Sequence, residues 1–240
     1  MKRRIFVSTS VYALAHSLGM QGAIDEVRRQ LDAPDKDSLP VVRTIVRLRN
    51  LDAEVALHVD AGATFIGMAR SRAFHEAFKT ELPWISIDDD VEVTTDCAAA
   101  MLDVLEDVVP RLVLVPYYTR DKDSPALTLT IPLVRVERIR NGAKLLTLPK
   151  GQGGGFGMVG MNRLAMQAIV DYAKESPIDL TWFDYGEKKL AIFYERLEDG
   201  LWYGEDSSFF RFRVPESVTV EALLVGTVLH GGVPLTLSTL

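Results

Sequence analysis

Trp84-Ile85-Ser86-Ile87-Asp88-Asp89-Asp90-Val91-Glu92-Val93 sets three consecutive carboxylates at the end of a short apolar run that reads as a buried strand. Burying part of one unpaired carboxylate is costly and three side by side repel one another, so the cluster calls for a cation. Side chains alternate along a strand, so a strand continued through the run directs Asp88 and Asp90 to the same side, where two oxygen ligands converge. Hard ions such as Mg2+ and Mn2+ take oxygen ligands, and Mg2+ completes its shell with water and substrate phosphates. A nucleotide diphosphate is the natural partner for such a pair. An acidic run of this kind also forms a solvated turn or a helix N-cap, and the residues alone leave that open.

Outward from this run, 5–9, 54–59 and 111–115 read as strands, and 13–31, 67–79, 95–105 and 162–174 carry helical periodicity. The polar, proline-bounded segment 32–40 is a loop, 41–49 suits a helical face slightly better than a strand, and 127–139 alternates as one or two strands before a turn at Asn141-Gly142. The early strands alternate with helices, which predicts an α/β fold with a mostly parallel central sheet flanked by helices and a less regular C-terminal half. Ligands of such sheets gather where the strands end. One domain of 240 residues is expected, 1–115 forming a Rossmann-like nucleotide-binding half and 116–240 a mixed, acceptor-binding half.

Hydrophobic residues at 48% and charged residues at 25% argue against disorder or a fibrous repeat. The net charge of -6 gives no general attraction to nucleic acid, although Arg43-Arg47-Arg49 and Arg135-Arg138-Arg140 offer local basic clusters. Cys97 is the single cysteine, so neither an internal disulfide nor a cysteine zinc site can form, and a reducing cytoplasm is expected. No segment approaches the roughly twenty apolar residues of a membrane span, and the run after Met1-Lys2-Arg3-Arg4 is interrupted too soon to export or anchor the chain.

Arg70 and Arg72 lie in the helix before the acidic run and can offer guanidinium groups to a phosphate or to the carboxylates themselves. Arg72 better fits an ordinary surface arginine or an internal ion pair. The cluster Gly151-Gln152-Gly153-Gly154-Gly155-Phe156-Gly157 lets the backbone approach a ligand closely, with Phe156 able to stack on a sugar ring. It lacks the lysine of a Walker loop and the spacing of a dinucleotide fingerprint. Glu205-Asp206 offers a general base for an acceptor hydroxyl or, equally, a helix-capping carboxylate. His230, before Gly231-Gly232, is a candidate metal ligand, whereas His16, His58 and His75 read as structural. Ser8, Thr9 and Ser10 close the first strand with hydroxyls, Ser10 also suiting a helix cap.

In their order, Met68-Ala69-Arg70-Ser71-Arg72-Ala73, Ile85-Ser86-Ile87-Asp88-Asp89-Asp90-Val91, Gly153-Gly154-Gly155-Phe156-Gly157, Gly204-Glu205-Asp206-Ser207-Ser208-Phe209 and Leu229-His230-Gly231 resemble the GT-A fold nucleotide-sugar glycosyltransferases. The resemblance implies a DxD motif in which Asp88 and Asp90, assisted by His230, hold Mn2+ or Mg2+ against the diphosphate of a nucleoside-diphosphate sugar. It further implies that Ser8, Thr9 and Ser10 meet the nucleotide base and ribose, that Arg70 and Asp88-Asp89 meet the nucleotide or its diphosphate, and that Gly154, Gly155 and Phe156 line the donor-sugar site. Asp206, or second Glu205, becomes the catalytic base of an inverting transfer. The acceptor is a small molecule, a protein or a modified nucleic-acid base such as a hydroxymethylated one. The alternatives are a nucleotidyltransferase and a noncatalytic nucleotide- or carbohydrate-binding protein on the same fold.

Overall fold

The computed structural model of the chain describes residues 2–62, 65–119, 123, 126–129, 136–140, 142–175, 181–184 and 186–240. Its strands in chain order are β1 (Arg3–Ser10), β2 (Ala53–Asp60), β3 (Trp84–Ile87), β4 (Val91–Val93), β5 (Arg111–Leu114), β6 (Val136–Arg140), β7 (Ala143–Thr147) and β8 (Met158–Met161). They continue with β9 (Thr181–Asp184), β10 (Glu187–Leu190), β11 (Arg196–Glu198), β12 (Leu201–Tyr203), β13 (Thr219–Leu224), β14 (Thr227–His230) and β15 (Val233–Thr236). The α-helices are α1 (Tyr12–Asp32), α2 (Pro40–Asn50), α3 (Ile66–Thr80), α4 (Thr95–Leu105), α5 (Arg163–Glu175) and α6 (Glu205–Phe212).

Eight strands form the central sheet in the order β2-β1-β3-β8-β5-β13-β7-β6. Strands β2, β1, β3, β5, β13 and β6 run one way and β8 and β7 the other, so the sheet is mostly parallel, as expected. Alternation along each strand splits the core into two layers. Ile5, Val7, Ile85, Ile87 and Val113 pack against α1, α2 and α4, whereas Phe6, Trp84 and Leu112 pack against α3, α5 and α6. Both faces are covered, which is why the strands read as near-continuous apolar runs.

Local chemistry explains the helices. Pro40 opens α2, where its missing N–H costs nothing, and Arg47 and Arg49 sit in its last turn opposite the negative end of the helix dipole. Its helical reading is therefore correct. Helix α1 is interrupted at Gly19, whose φ of 75° is open to glycine. Ser10 does not cap it: Val11 holds the cap position and no side chain bonds there.

Two departures from the sequence reading build the site. The first is that Asp88, Asp89 and Asp90 form a turn between β3 and β4, the Val91 N–H donating to the Asp88 carbonyl at 3.1 Å. Alternation through the aspartates therefore fails. The second is β8, which separates the glycine loop from α5 and lies antiparallel between β3 and β5. A four-residue apolar run flush against a helical pattern carries no period of its own. Of the segment expected to alternate, β6 forms a hairpin with β7, while 130–135 and Asn141 lie outside the described residues.

A smaller antiparallel sheet, β15-β14-β4, pairs His230 with Val91. Below it, Glu92 accepts from Arg43 Nε at 2.8 Å and Arg47 Nη2 at 2.6 Å, tying the aspartate turn to α2. Those arginines are thereby spent on an internal pair instead of a phosphate-binding face. The second basic cluster has Arg135 outside the described residues. Replacing Glu92 by Gln leaves two guanidinium groups short of their carboxylate, and urea unfolding should show a loss of about 1–3 kcal/mol. An unchanged midpoint would show that the triad contributes nothing to holding β4.

Candidate functional site

Arg70 projects from α3 and is only 5% exposed. Its Nη2 lies 3.1 Å from Asp88 Oδ1, its Nη1 lies 2.8 Å from Glu205 Oε1, and Nη1 also bonds Asp206 Oδ1. One guanidinium thus joins the turn after β3 to the first turn of α6, residues more than a hundred positions apart. Its planar fork suits such multiple contacts, and its flat face lies 5.0 Å from the centre of the Phe156 ring. Of the two readings left open for Arg72, the structure shows the internal ion pair: Nη1 holds buried Asp60 at 2.8 Å.

Asp206 is gripped from two sides, by Arg70 on Oδ1 and by the Phe156 backbone N–H on Oδ2 at 3.1 Å. Neither Glu205 nor Asp206 is the cap of α6; Gly204 is, and both carboxylates lie in the first turn, where the helix dipole favours negative charge. Burial holds the Asp206 carboxyl up at about 6, against the pull of Arg70 and with the repulsion of Glu205 and Asp88. Burial raises Asp88 as well, opposed by Arg70. For Arg70 burial works the other way, but the three carboxylates outweigh it and its guanidinium is held charged.

The glycine loop has a different role from the one expected. Phe156 is fully buried among Phe193, Phe209 and Phe210, so its ring presents no face to a sugar and only its N–H reaches the site. A Cβ at Gly155 or Gly157 would collide with Tyr117, and one at Gly153 with Phe210. These glycines permit close packing, and the loop so seated lines a cleft of about 620 Å³ with Gly154, Gly155, Tyr117, Tyr203, Asp206 and Arg211. Its volume lies within the range of small-molecule sites. Tyr117, Tyr203 and Arg211 escaped the sequence reading; for Tyr117 the available signal was its place in the loop that follows β5, after Val115 and Pro116, where ligands gather. Its phenol, raised by burial and then by Asp88 and Asp206, stays protonated.

On the far side of Arg70, Ser10, Tyr12, Ile66, Asp88 and Asp89 line a hollow of about 200 Å³ at the ends of β1 and β3. Ser10 opens onto it. Ser8 and Thr9 do not: both are buried, Ser8 accepting from the Trp84 indole at 2.8 Å.

The donor set fits a divalent cation in part. His230 Nε2 faces Asp90 Oδ2 at 3.5 Å, while Nδ1 lies 2.9 Å from the Tyr118 carbonyl. A carbonyl only accepts, so Nδ1 donates to it and Nε2 is left facing the Asp90 carboxylate, the orientation that an outer hydrogen bond gives a metal-ligating histidine. Asp88 departs from the DxD expectation because its oxygens are taken by Arg70. Among the described residues no group of three or more His, Cys, Asp or Glu side chains is placed to hold a metal.

No family model matches the chain, and neither does any curated protein. Among solved structures it is similar to A197 from STIV at 14% identity and a TM-score of 0.49, covering 95% of this chain and 85% of that one. It is also similar to a protein described as a glucose-1-phosphate thymidylyltransferase from Bacillus anthracis, in complex with a sucrose, at 13% identity and a TM-score of 0.37, covering 99% and 92%. Likenesses this distant leave the chemistry to be argued from the residues. No helix among the described residues is long and apolar enough to cross a membrane.

Replacing Arg70 by Met removes the buried cation from three half-buried carboxylates, and the loss should reach about 3–5 kcal/mol at neutral pH. A carboxyl whose folded pKa is raised is stabilised by its proton, so the variant should recover Tm as pH falls from about 7.5 to 5.5, more than the parent does. Parallel pH profiles for the two proteins would contradict the role of Arg70.

Proposed function

We propose that this chain is a glycosyltransferase that moves a sugar from a nucleoside-diphosphate sugar to an acceptor hydroxyl with inversion, as one GT-A-like domain. The observation that carries the reading is Asp206, a half-buried carboxylate raised to about 6 by burial, held in place by Arg70 and the Phe156 N–H, and open to a cleft at the strand ends. A base needs a pKa near the working pH, and burial raises Asp206 toward it. Glu205, bonded to the same guanidinium, is the second candidate.

In the step proposed, the acceptor oxygen bonds to the anomeric carbon as its proton passes to Asp206. The bond from that carbon to the diphosphate oxygen breaks, and its electron pair leaves with the nucleoside diphosphate. Asp90 and His230 are the residues that would hold Mn2+ or Mg2+, and such an ion, when bound, stabilises charge on the departing diphosphate. Asp88 and Asp89 face the donor hollow with Ser10, whereas Gly154 and Gly155 line the acceptor cleft. In this reading residues 1–115 would supply the nucleotide-sugar half and 116–240 the acceptor half. Small molecules, proteins and modified nucleic-acid bases remain the acceptor classes.

Incubation with a panel of nucleotide-sugars and Mn2+ should release free nucleoside diphosphate. Pyrophosphate released from a nucleoside triphosphate would instead identify a nucleotidyltransferase, and metal-dependent binding without turnover a noncatalytic binding protein. With an active donor in hand, kcat should rise with pH through about 6 as Asp206 ionises, and Asp206→Asn should lower it by roughly 10²–10⁴ with the fold preserved. Turnover near the parental level in that variant rules out Asp206 as the base, and retention of anomeric configuration rules out the inverting step.

A further inference from the structure

The cleft that Asp206 lines is also lined by Arg211, five residues further along α6 and so displaced by about 7.5 Å of helical rise. The glycine loop runs beside this stretch of helix. At Asp206 the Phe156 N–H bonds Oδ2 at 3.1 Å, and at Arg211 a Cβ built on Gly151 would lie 3.9 Å from the arginine Cα. Gly153, Gly154 and Gly155 line the cleft between those two anchors, and none of their N–H groups has an acceptor among the described residues.

Arg211 is the one cation among the residues lining the cleft, and Asp206 is the one carboxylate, already bonded to Arg70. The ion-pair partner of Arg211, Glu198, stands 4.0 Å from Nε, outside hydrogen-bond reach, and gives its other oxygen to Arg196 at 2.9 Å. The half-exposed guanidinium of Arg211 therefore donates no hydrogen bond among the described residues. It is nonetheless held in orientation, 5.0 Å from the centre of the Tyr203 ring and 5.6 Å from that of Phe212. A planar fork fixed by stacking, with its donors unspent, suits two-point binding of a carboxylate or a phosphate. Glycine N–H groups beside it can add donors because no side chain keeps an anion away from the backbone.

We propose that the cleft binds a small molecule carrying a carboxylate or a phosphate, held by Arg211 and the glycine-loop N–H groups, and that this molecule is the acceptor of the transfer. The word acceptor rests on the glycosyl-transfer reading; the binding claim rests on the cleft alone. With its anion at Arg211, the molecule spans the offset along α6 and brings a hydroxyl from the far side of its ring to Asp206. A nucleic-acid backbone would call for a row of cations, and Arg211 stands alone in this wall.

The test compares methyl glucoside with its C6 carboxylate and its 6-phosphate, which share a ring and differ in charge, by saturation-transfer NMR and calorimetry in phosphate-free buffer at neutral pH and fixed ionic strength. At least one anion should bind about tenfold more tightly than the neutral glucoside, the effect of one charged hydrogen bond, and the tighter of the two identifies the anion. Arg211→Gln should remove that advantage and leave the neutral glucoside unchanged, whereas Arg211→Lys, which keeps the charge and loses the fork, should keep part of it. Equal affinity for all three ligands, or anion binding indifferent to Arg211→Gln, overturns the proposal. So does a loss of nucleoside-diphosphate affinity in that variant with the sugar anions unaffected, because Arg211 then serves the donor. Donor turnover is measured separately on the unmodified protein. Nucleotide release with no preference for an anionic ring defeats this inference alone, whereas anion binding without turnover of any donor upholds the cleft and defeats the transferase reading.

Discussion

A guanidinium removed from water must be answered by negative charge, and around Arg70 that requirement organises the molecule. A buried cation without partners is strongly destabilising, and the same holds for each carboxylate that faces it. Arg70 comes from α3, Asp88 from the turn after β3, and Glu205 and Asp206 from α6. The fold reaches low energy only when all three elements meet. The same contacts set the chemistry, because burial and mutual repulsion keep Asp206 up at about 6 while Arg70 keeps it from rising further.

The sheet delivers these elements through two pairings. Strand β8 inserts antiparallel beside β3, so that the Asp88 N–H donates to the Gly157 carbonyl at 2.8 Å and the glycine loop is held next to the aspartate turn. Strand β14 pairs with β4 and sets His230 opposite Val91, beside Asp90. The aspartate turn is thus clamped from both sides, one carboxylate directed to Arg70 and another to His230. A run of three like charges is tolerated here because its members are divided between different partners.

Much of this is legible in the sequence. The alternation of apolar strands and helices through 115 gave the sheet and its flanking layers, and the aspartates, Arg70, Glu205-Asp206 and His230 do gather at one end of it. Three things were not legible, for physical reasons. The turn at Asp88 depends on β4 pairing with β14, a long-range contact that no local pattern encodes. Phe156 sits beside glycines, which suggested a ring free to stack on a sugar, yet its burial follows from Phe193, Phe209 and Phe210 arriving from later in the chain. That Arg70 would answer the carboxylates in place of an ion also depended on tertiary placement, since a metal and a guanidinium satisfy the same electrostatic demand.

The central claim is that one buried arginine holds three carboxylates and poises Asp206 as a base. Carbonyl-carbon NMR of selectively labelled aspartate, assigned through Asp206→Asn, measures this directly. The account predicts an Asp206 ionisation near pH 6 in the folded protein. A midpoint at the ordinary aspartate value, about 4, would contradict it.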